Sequence, residues 1–181
     1  AISADGRFVL FQSAATNLVT GVVDANSQRD VFLHDTQSGA TVLVSRALGN
    51  PAQAANNRSD GHAISADGRW IVFSSRATNI VAATTDSNGG NDLFLFDADT
   101  GAITLVTRAA SGTATGNGES TFGAFSPDGA VLVFETFAND LVGGVADANG
   151  QADIYRFDRA NGQRVLVSHA DGVGTTTANA G

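Results

Sequence analysis

The chain has 181 residues and a formal net charge of −8; all ten basic residues are arginine, 16 of the 18 acidic residues are aspartate, and cysteine and methionine are absent. Without cysteine there are no disulfides, thiolate nucleophiles or thiolate metal sites, and an acidic chain without basic stripes is not built to grip a phosphate backbone, so nucleic acid is excluded as a partner. Aspartate, asparagine, glycine, serine and threonine replace the helix formers lysine and glutamate, which points to an all-β chain with many loops. No apolar run approaches the ~20 residues of a membrane span, and a chain that opens on Ala1 without methionine is expected to be a processed product or a segment of a longer one.

In chain order, Ala1–Ser3 reads as the end of a strand and Asp5-Gly6 as a two-residue hairpin turn. Phe8–Phe11 follows as a second strand, continuously apolar and so expected to be covered on both faces. A long polar segment, Ser13–Arg29, leads to a third strand at Val31–His34, and a turn closed by Gly39 leads to a fourth at Thr41–Ser45. The connection Ala47–Gly61 comes next, with Asn56 and Asn57 expected to tolerate replacement and Gly68, in the next tight turn, expected not to.

The pattern then starts again. Ile2-Ser3-Ala4-Asp5-Gly6-Arg7 returns as Ile64-Ser65-Ala66-Asp67-Gly68-Arg69 and as Phe125-Ser126-Pro127-Asp128-Gly129-Ala130, and the aspartates give periods of 62 (67 − 5) and 61 (128 − 67). The units are 1–63, 64–124 and 125–181, with strands recurring at Trp70–Phe73, Leu93–Phe96 and Ile103–Thr107, then Val131–Phe134, Ile154–Phe157 and Arg164–Ser168. In a four-stranded meander the short turns collect on one edge and the long polar segments on the other, where binding is expected.

The candidate metal ligands are the residues of an Asp-x-Asn-x-x-x-Asp motif: Asp24, Asn26 and Asp30; Asp86, Asn88 and Asp92; Asp147, Asn149 and Asp153. Closely spaced oxygen donors of this kind suit calcium, with backbone carbonyls at Gln28, Gly90 or Gln151 adding to the shell. The alternative is that the first Asp and the Asn build Asx turns while the last Asp anchors the third strand. Asp35, Asp97 and Asp158 read as turn residues, and Arg46 and Arg108 as outer-edge cations that discourage strand addition. His34, His62 and His169 do not recur at one repeat position; His62, beside the innermost strand, is the one placed to face a channel. Glu119 and Glu135, the two glutamates, are not tied together by any spacing, and no serine carries a nucleophile-elbow motif, so the chain is not expected to be an enzyme.

The stretch Phe125-Ser126-Pro127-Asp128-Gly129 with its following apolar strand, together with Asp147 to Asp158, resembles the repeat of TolB-like β-propellers, also called WD40-like repeats. The resemblance implies an all-β fold of three four-stranded antiparallel blades of about 61 residues, in a periplasmic or extracellular protein. Propellers close with ~4–8 blades, so further blades or a second copy of the chain are expected against the open ends. The function implied is a non-catalytic binding or scaffold module that holds a protein or glycan partner on its loop face. The alternatives are the accessory propeller of a larger hydrolase and a structural surface or filament protein.

Overall fold

The computed structural model describes residues 1–82, 84–147, 149–170 and 174–178, and all regular structure among them is antiparallel sheet. The first sheet is β1 (Phe8–Ser13), β2 (Asp30–Asp35) and β3 (Thr41–Leu43), followed by a two-stranded ribbon of β4 (Arg46–Ala47) and β5 (Asn50–Ala54). The second is β6 (Ser59–Ile64), β7 (Trp70–Ser75), β8 (Asp92–Asp97) and β9 (Ile103–Leu105); the third is β10 (Ser120–Phe125), β11 (Val131–Thr136), β12 (Asp153–Asp158) and β13 (Arg164–Leu166). Each is a meander in which neighbours in sequence are neighbours in space. The expected four strands per sheet hold in the second and third; the first has three, its innermost position held only by a bridge between Ile2 and Val9.

The tight turn is larger than a two-residue hairpin. Gly6 N–H donates to Ser3 O (3.0 Å), so Asp5-Gly6 forms the last two positions of a β-turn, and Phe8 N–H is received by the Ser3 hydroxyl at 2.9 Å. Asp5 Oδ1 in turn accepts the Ser3 O–H (2.6 Å) and the Arg7 N–H (3.0 Å). The same network recurs at Ser65 and Ser126, and Gly6, Gly68 and Gly129 take φ of +74°, +78° and +68°, where a side chain would strain the backbone. The signal was present in the recurring serine two residues ahead of each Asp-Gly, which the hairpin reading passed over.

The continuous apolar strands are explained by stacking. Leu10, Val31, Leu33 and Val44 of the first sheet pack with Ile71, Phe73, Phe94 and Leu105 of the second; Val72, Leu93, Leu95 and Val106 on its other face pack with Leu132, Phe134, Tyr155 and Phe157 of the third. Within each sheet one aromatic pair stacks across strands: Phe11–Phe32 (5.6 Å), Phe73–Phe94 (5.5 Å) and Phe134–Tyr155 (5.9 Å). The outward face of the third sheet leaves Val133 and Val167 40% and 49% exposed, whereas the residues at the same repeat positions in the other sheets are at most 4% exposed.

Two sequence expectations are corrected here. Arg46 is not an outer-edge cation: it lies over the Phe96 ring (5.1 Å) and donates to Gly101 O, joining the first sheet to the second. Asn56, expected to be a free loop residue, is tied to the next loop. Its N–H donates to Asn79 Oδ1 (2.9 Å), its amide to Thr78 Oγ1 (2.9 Å), and its Oδ1 accepts the Thr78 N–H (2.9 Å). Asn117 makes the matching clasp with Asn139 and Asp140 one repeat later.

Candidate binding site on the loop edge

The β1–β2, β7–β8 and β11–β12 connections emerge on one edge, and each is held against the following sheet-to-sheet connection by a parallel bridge: Val23 with Gln53, Thr85 with Ala114, and Ala146 with Thr176. The Asp-x-Asn-x-x-x-Asp motif builds this attachment. Asp24 Oδ1 accepts the N–H groups of Asn26 (3.0 Å) and Ser27 (3.3 Å); Asp86 does the same for Asn88 (3.1 Å) and Gly89 (2.8 Å), and Asp147 for Asn149 (3.0 Å) and Gly150 (2.8 Å). The asparagine amides donate to carbonyls of the next connection, Asn26 to Ala55 O (2.5 Å), Asn88 to Gly116 O (2.6 Å) and Asn149 to Ala178 O (2.6 Å).

The final aspartate of each motif opens the third strand and is buried. Asp30 accepts the Ser45 hydroxyl (2.8 Å), Asp92 the Thr107 hydroxyl (3.4 Å) and Asp153 the Ser168 hydroxyl (2.7 Å), and those hydroxyls receive the N–H of Val31, Leu93 and Ile154. Burial pushes the Asp30 carboxyl up to about 6, against the Ser45 hydrogen bond and with a further push from Asp24. Burial and then Asp86 raise Asp92 to about 7, and burial likewise raises Asp153.

These geometries bear on calcium. Asn26, Asn88 and Asn149 turn their Oδ1 atoms to the N–H of Gln28, Gly90 and Gln151, so each asparagine oxygen is engaged within its own loop. Among the described residues no group of three or more histidine, cysteine, aspartate or glutamate side chains is placed to hold a metal ion. What the motif does in this geometry is fasten each loop to its neighbour.

The other singled-out residues are scattered. His62 lies in β6 with Nε2 2.9 Å from Ser74 Oγ, and burial lowers its pKa. His34 contacts Thr41 Oγ1 (3.0 Å), and His169 Nδ1 lies 3.1 Å from Ala170 O. Glu119 pairs with Arg76 (3.3 Å) and accepts from Asn91 (2.7 Å), while Glu135 lies within β11 opposite Ile154. Asp35 and Asp97 receive the turn N–H groups of Gln37 and Asp99, as a turn role requires, but they also take bidentate Arg7 (3.0 and 2.8 Å) and Arg69 (2.9 and 2.9 Å). These pairs hold both carboxyls below the ordinary range. Sequence reasoning missed them, although the pairings Phe8–Asp35 and Trp70–Asp97 put each arginine one residue from its partner's cross-strand position.

No family model and no curated protein matches the sequence. Among solved structures, TolB from Acinetobacter baumannii aligns at a TM-score of 0.50 and 17% identity, over 92% of this chain and 31% of that one. The tricorn protease aligns at 0.52 and 15%, over 87% of this chain and 13% of that one. The fold is that of a TolB-like β-propeller. An oligogalacturonate lyase in complex with manganese shares it at a TM-score of 0.51 and 11% identity, over 92% of this chain and 40% of that one. The stacked meanders are thus propeller blades, and the chain spans less than half the length of each of these propeller-containing chains.

Proposed function

We propose that the chain is a non-catalytic binding or scaffold module of a secreted or periplasmic bacterial protein, its three blades forming part of a larger or oligomeric ring and its loop edge receiving a protein or glycan partner. The observation that carries this reading is the separation of the two edges. Short turns close one, while the other bears long polar loops, each clasped to the next connection through Asn26, Asn88 or Asn149. Loops held in place on a rigid sheet stack can present side chains with little ordering cost, which is what a recognition surface needs.

The test pairs charge changes on the two edges. Arg58 and Gln28 are exposed beside the loops, and Asn161 is exposed in a β12–β13 turn on the opposite edge. A partner selected from surface polysaccharide fragments or periplasmic proteins should lose about tenfold or more in affinity with Arg58→Glu or Gln28→Lys and keep its affinity with Asn161→Lys. Insensitivity to both loop-edge changes, or turnover of peptide, ester or glycoside substrates by the chain, would refute the reading.

A further inference from the structure

Ala98 and Arg159 occupy the same repeat position, immediately after the aspartate that ends the third strand of the second and third blades. The difference changes the grooves on the turn edge. Between the second and third blades the groove is filled by Arg159, whose guanidinium carbon lies 4.1 Å from the Trp70 ring centroid and whose Nε donates to Gly129 O at 2.9 Å. Its charge also helps hold the turn carboxyls Asp67 and Asp128 below their ordinary range, behind the larger effects of the hydrogen bonds from Ser65 and Ser126. The guanidinium therefore sits near consecutive Asp-Gly turns, with an aromatic face on the preceding blade.

Between the first and second blades the equivalent positions lack that cation, and the Phe8 ring lies closer to Gly68 than the Trp70 ring does to Gly129. Phe8 stands where Trp70 does, Gly68 where Gly129 does and Asp67 where Asp128 does, while Ala98 leaves an open groove of about 250 Å³. Each aromatic ring carries the arginine that precedes it, Arg7 over Phe8 at 4.6 Å and Arg69 over Trp70 at 4.9 Å; Trp70 has Arg159 in addition. Arg69 also lines the open groove, where Ala130 stands in the filled one, but its guanidinium is committed to Asp97 (2.9 Å) and Asp99 (3.1 Å). The acidic groups on the groove are Asp35, Asp67 and Asp99.

We propose that this groove receives an arginine side chain from a partner polypeptide, stacked on Phe8 and donating to the Gly68 carbonyl as Arg159 stacks on Trp70 and donates to Gly129 O one blade further on, with the Asp67 carboxylate adding a nearby negative charge. A planar guanidinium can lie on a ring and fork to oxygen acceptors at once, whereas a lysine ammonium is a strongly hydrated point charge and a citrulline side chain has no charge. The contact lies on the turn edge, goes beyond the loop-edge reading and can fail independently of it.

The experiment is titration of the full chain with N-acetyl-arginine amide, followed by calorimetry and by the backbone amide resonances of Gly68 and Ala98, with the lysine and citrulline counterparts as controls. Arginine amide should bind at one site and outbind both controls by about fivefold or more. Ala98→Arg, which supplies the guanidinium from within, should weaken it about tenfold or more without lowering the melting temperature. Arg159→Ala should vacate the second groove and raise the stoichiometry from one to two. Undetectable binding, equal binding of the three amides, or affinity unmoved by Ala98→Arg would overturn the proposal; because Ala98→Arg is checked by its melt, misfolding of Arg159→Ala would leave the decision intact.

Discussion

Three glycines at one repeat position let backbone strain be separated from blade packing. Gly6, Gly129 and Gly68 all have positive φ, so alanine at any of them should cost about 1–2 kcal/mol for the left-handed backbone. Their surroundings differ. A Cβ on Gly6 would have nothing within 4 Å and one on Gly129 would lie 3.2 Å from Ser65 Cβ, but one on Gly68 would overlap Phe8 Cδ2, with Cε2 and Cγ both at 2.9 Å. That ring is wedged between blades, and overpacking such a contact costs about 1–3 kcal/mol more. The expected order of destabilisation is Gly6→Ala, then Gly129→Ala, then Gly68→Ala, the last totalling about 2–5 kcal/mol. Urea and thermal melts measure this, and at roughly 2–4 °C per kcal/mol for a chain of this size the Gly68 variant should melt visibly below the Gly6 variant. A double-mutant cycle with Phe8→Ala should recover about 1–3 kcal/mol of the Gly68 penalty. Equal losses at Gly6 and Gly68, or a cycle with no coupling, would refute the claim that the Gly68 turn packs directly on the preceding blade.

The raised carboxyls set the pH dependence. Asp30 and Asp92 sit at about 6 and about 7 against an ordinary 3.8, so the folded chain retains protons that the unfolded chain releases; their stabilisation is complete below 3.8 and is lost as pH rises through 6 and 7. Asp35 and Asp97, lowered chiefly by Arg7 and Arg69, act oppositely and lose their contribution as pH falls below 3.8. His62, lowered by burial, works in the opposite sense below its ordinary 6.5, so the decline in melting temperature between about pH 5 and about pH 7 is best read as a difference: Asp92→Asn should make it smaller, and an unchanged slope in the variant would count against it. Asn56→Ala, which removes a reciprocal clasp, should cost about 1 kcal/mol in a urea melt, whereas Asn57→Ala should stay within about 0.5 kcal/mol. Equal effects at the two positions would place the clasp elsewhere.

Much of the fold was readable because the repeat fixes many positions at once. The Asp-Gly period marked the first turn of each sheet, although β6 and β10 begin before the unit boundaries drawn at 63/64 and 124/125; continuous apolar strands signalled cover on both faces, and the spacing of the Asp-x-Asn motif marked loops that the structure brings to one edge. What stayed hidden was contact between repeats. Nothing local to Asn56 points to Thr78, and nothing local to Ala98 shows that its counterpart Arg159 reaches Trp70 of the preceding blade. The Arg7–Asp35 pair is also distant in sequence, and a turn role was sufficient to account for its aspartate. The strand ahead of the turn was underestimated because its polar residues Ser59, Asp60, Gly61 and His62 read as loop, whereas β6 pairs them with β7 through a bulge.

Tyr155 stands where Phe32 and Phe94 stand in the other blades. Its ring stacks on Phe134 as theirs stack on Phe11 and Phe73, so tyrosine in place of phenylalanine adds only an oxygen at the far end of a packing arrangement that recurs in every blade. Among the described residues that buried hydroxyl has no hydrogen-bond partner, and burial, then Asp153, Asp147 and Asp140, push it up to about 12, so it remains a neutral phenol. An unsatisfied buried hydroxyl carries a desolvation cost of about 1–3 kcal/mol, so Tyr155→Phe should be neutral to stabilising by that amount. The reverse change should do the opposite. Phe94 borders a cavity of only about 10 Å³ shared with Asp86 and Thr115, so Phe94→Tyr would crowd that space and bury a second hydroxyl, lowering the melting temperature. Thermal melts of the two variants, each with and without millimolar calcium, carry the decision. A loss of stability in Tyr155→Phe would refute the packing argument by showing that the hydroxyl has a partner in solution, and a loss seen only with calcium would identify that partner as a cation held between the phenol and the Asp147–Asp153 loop.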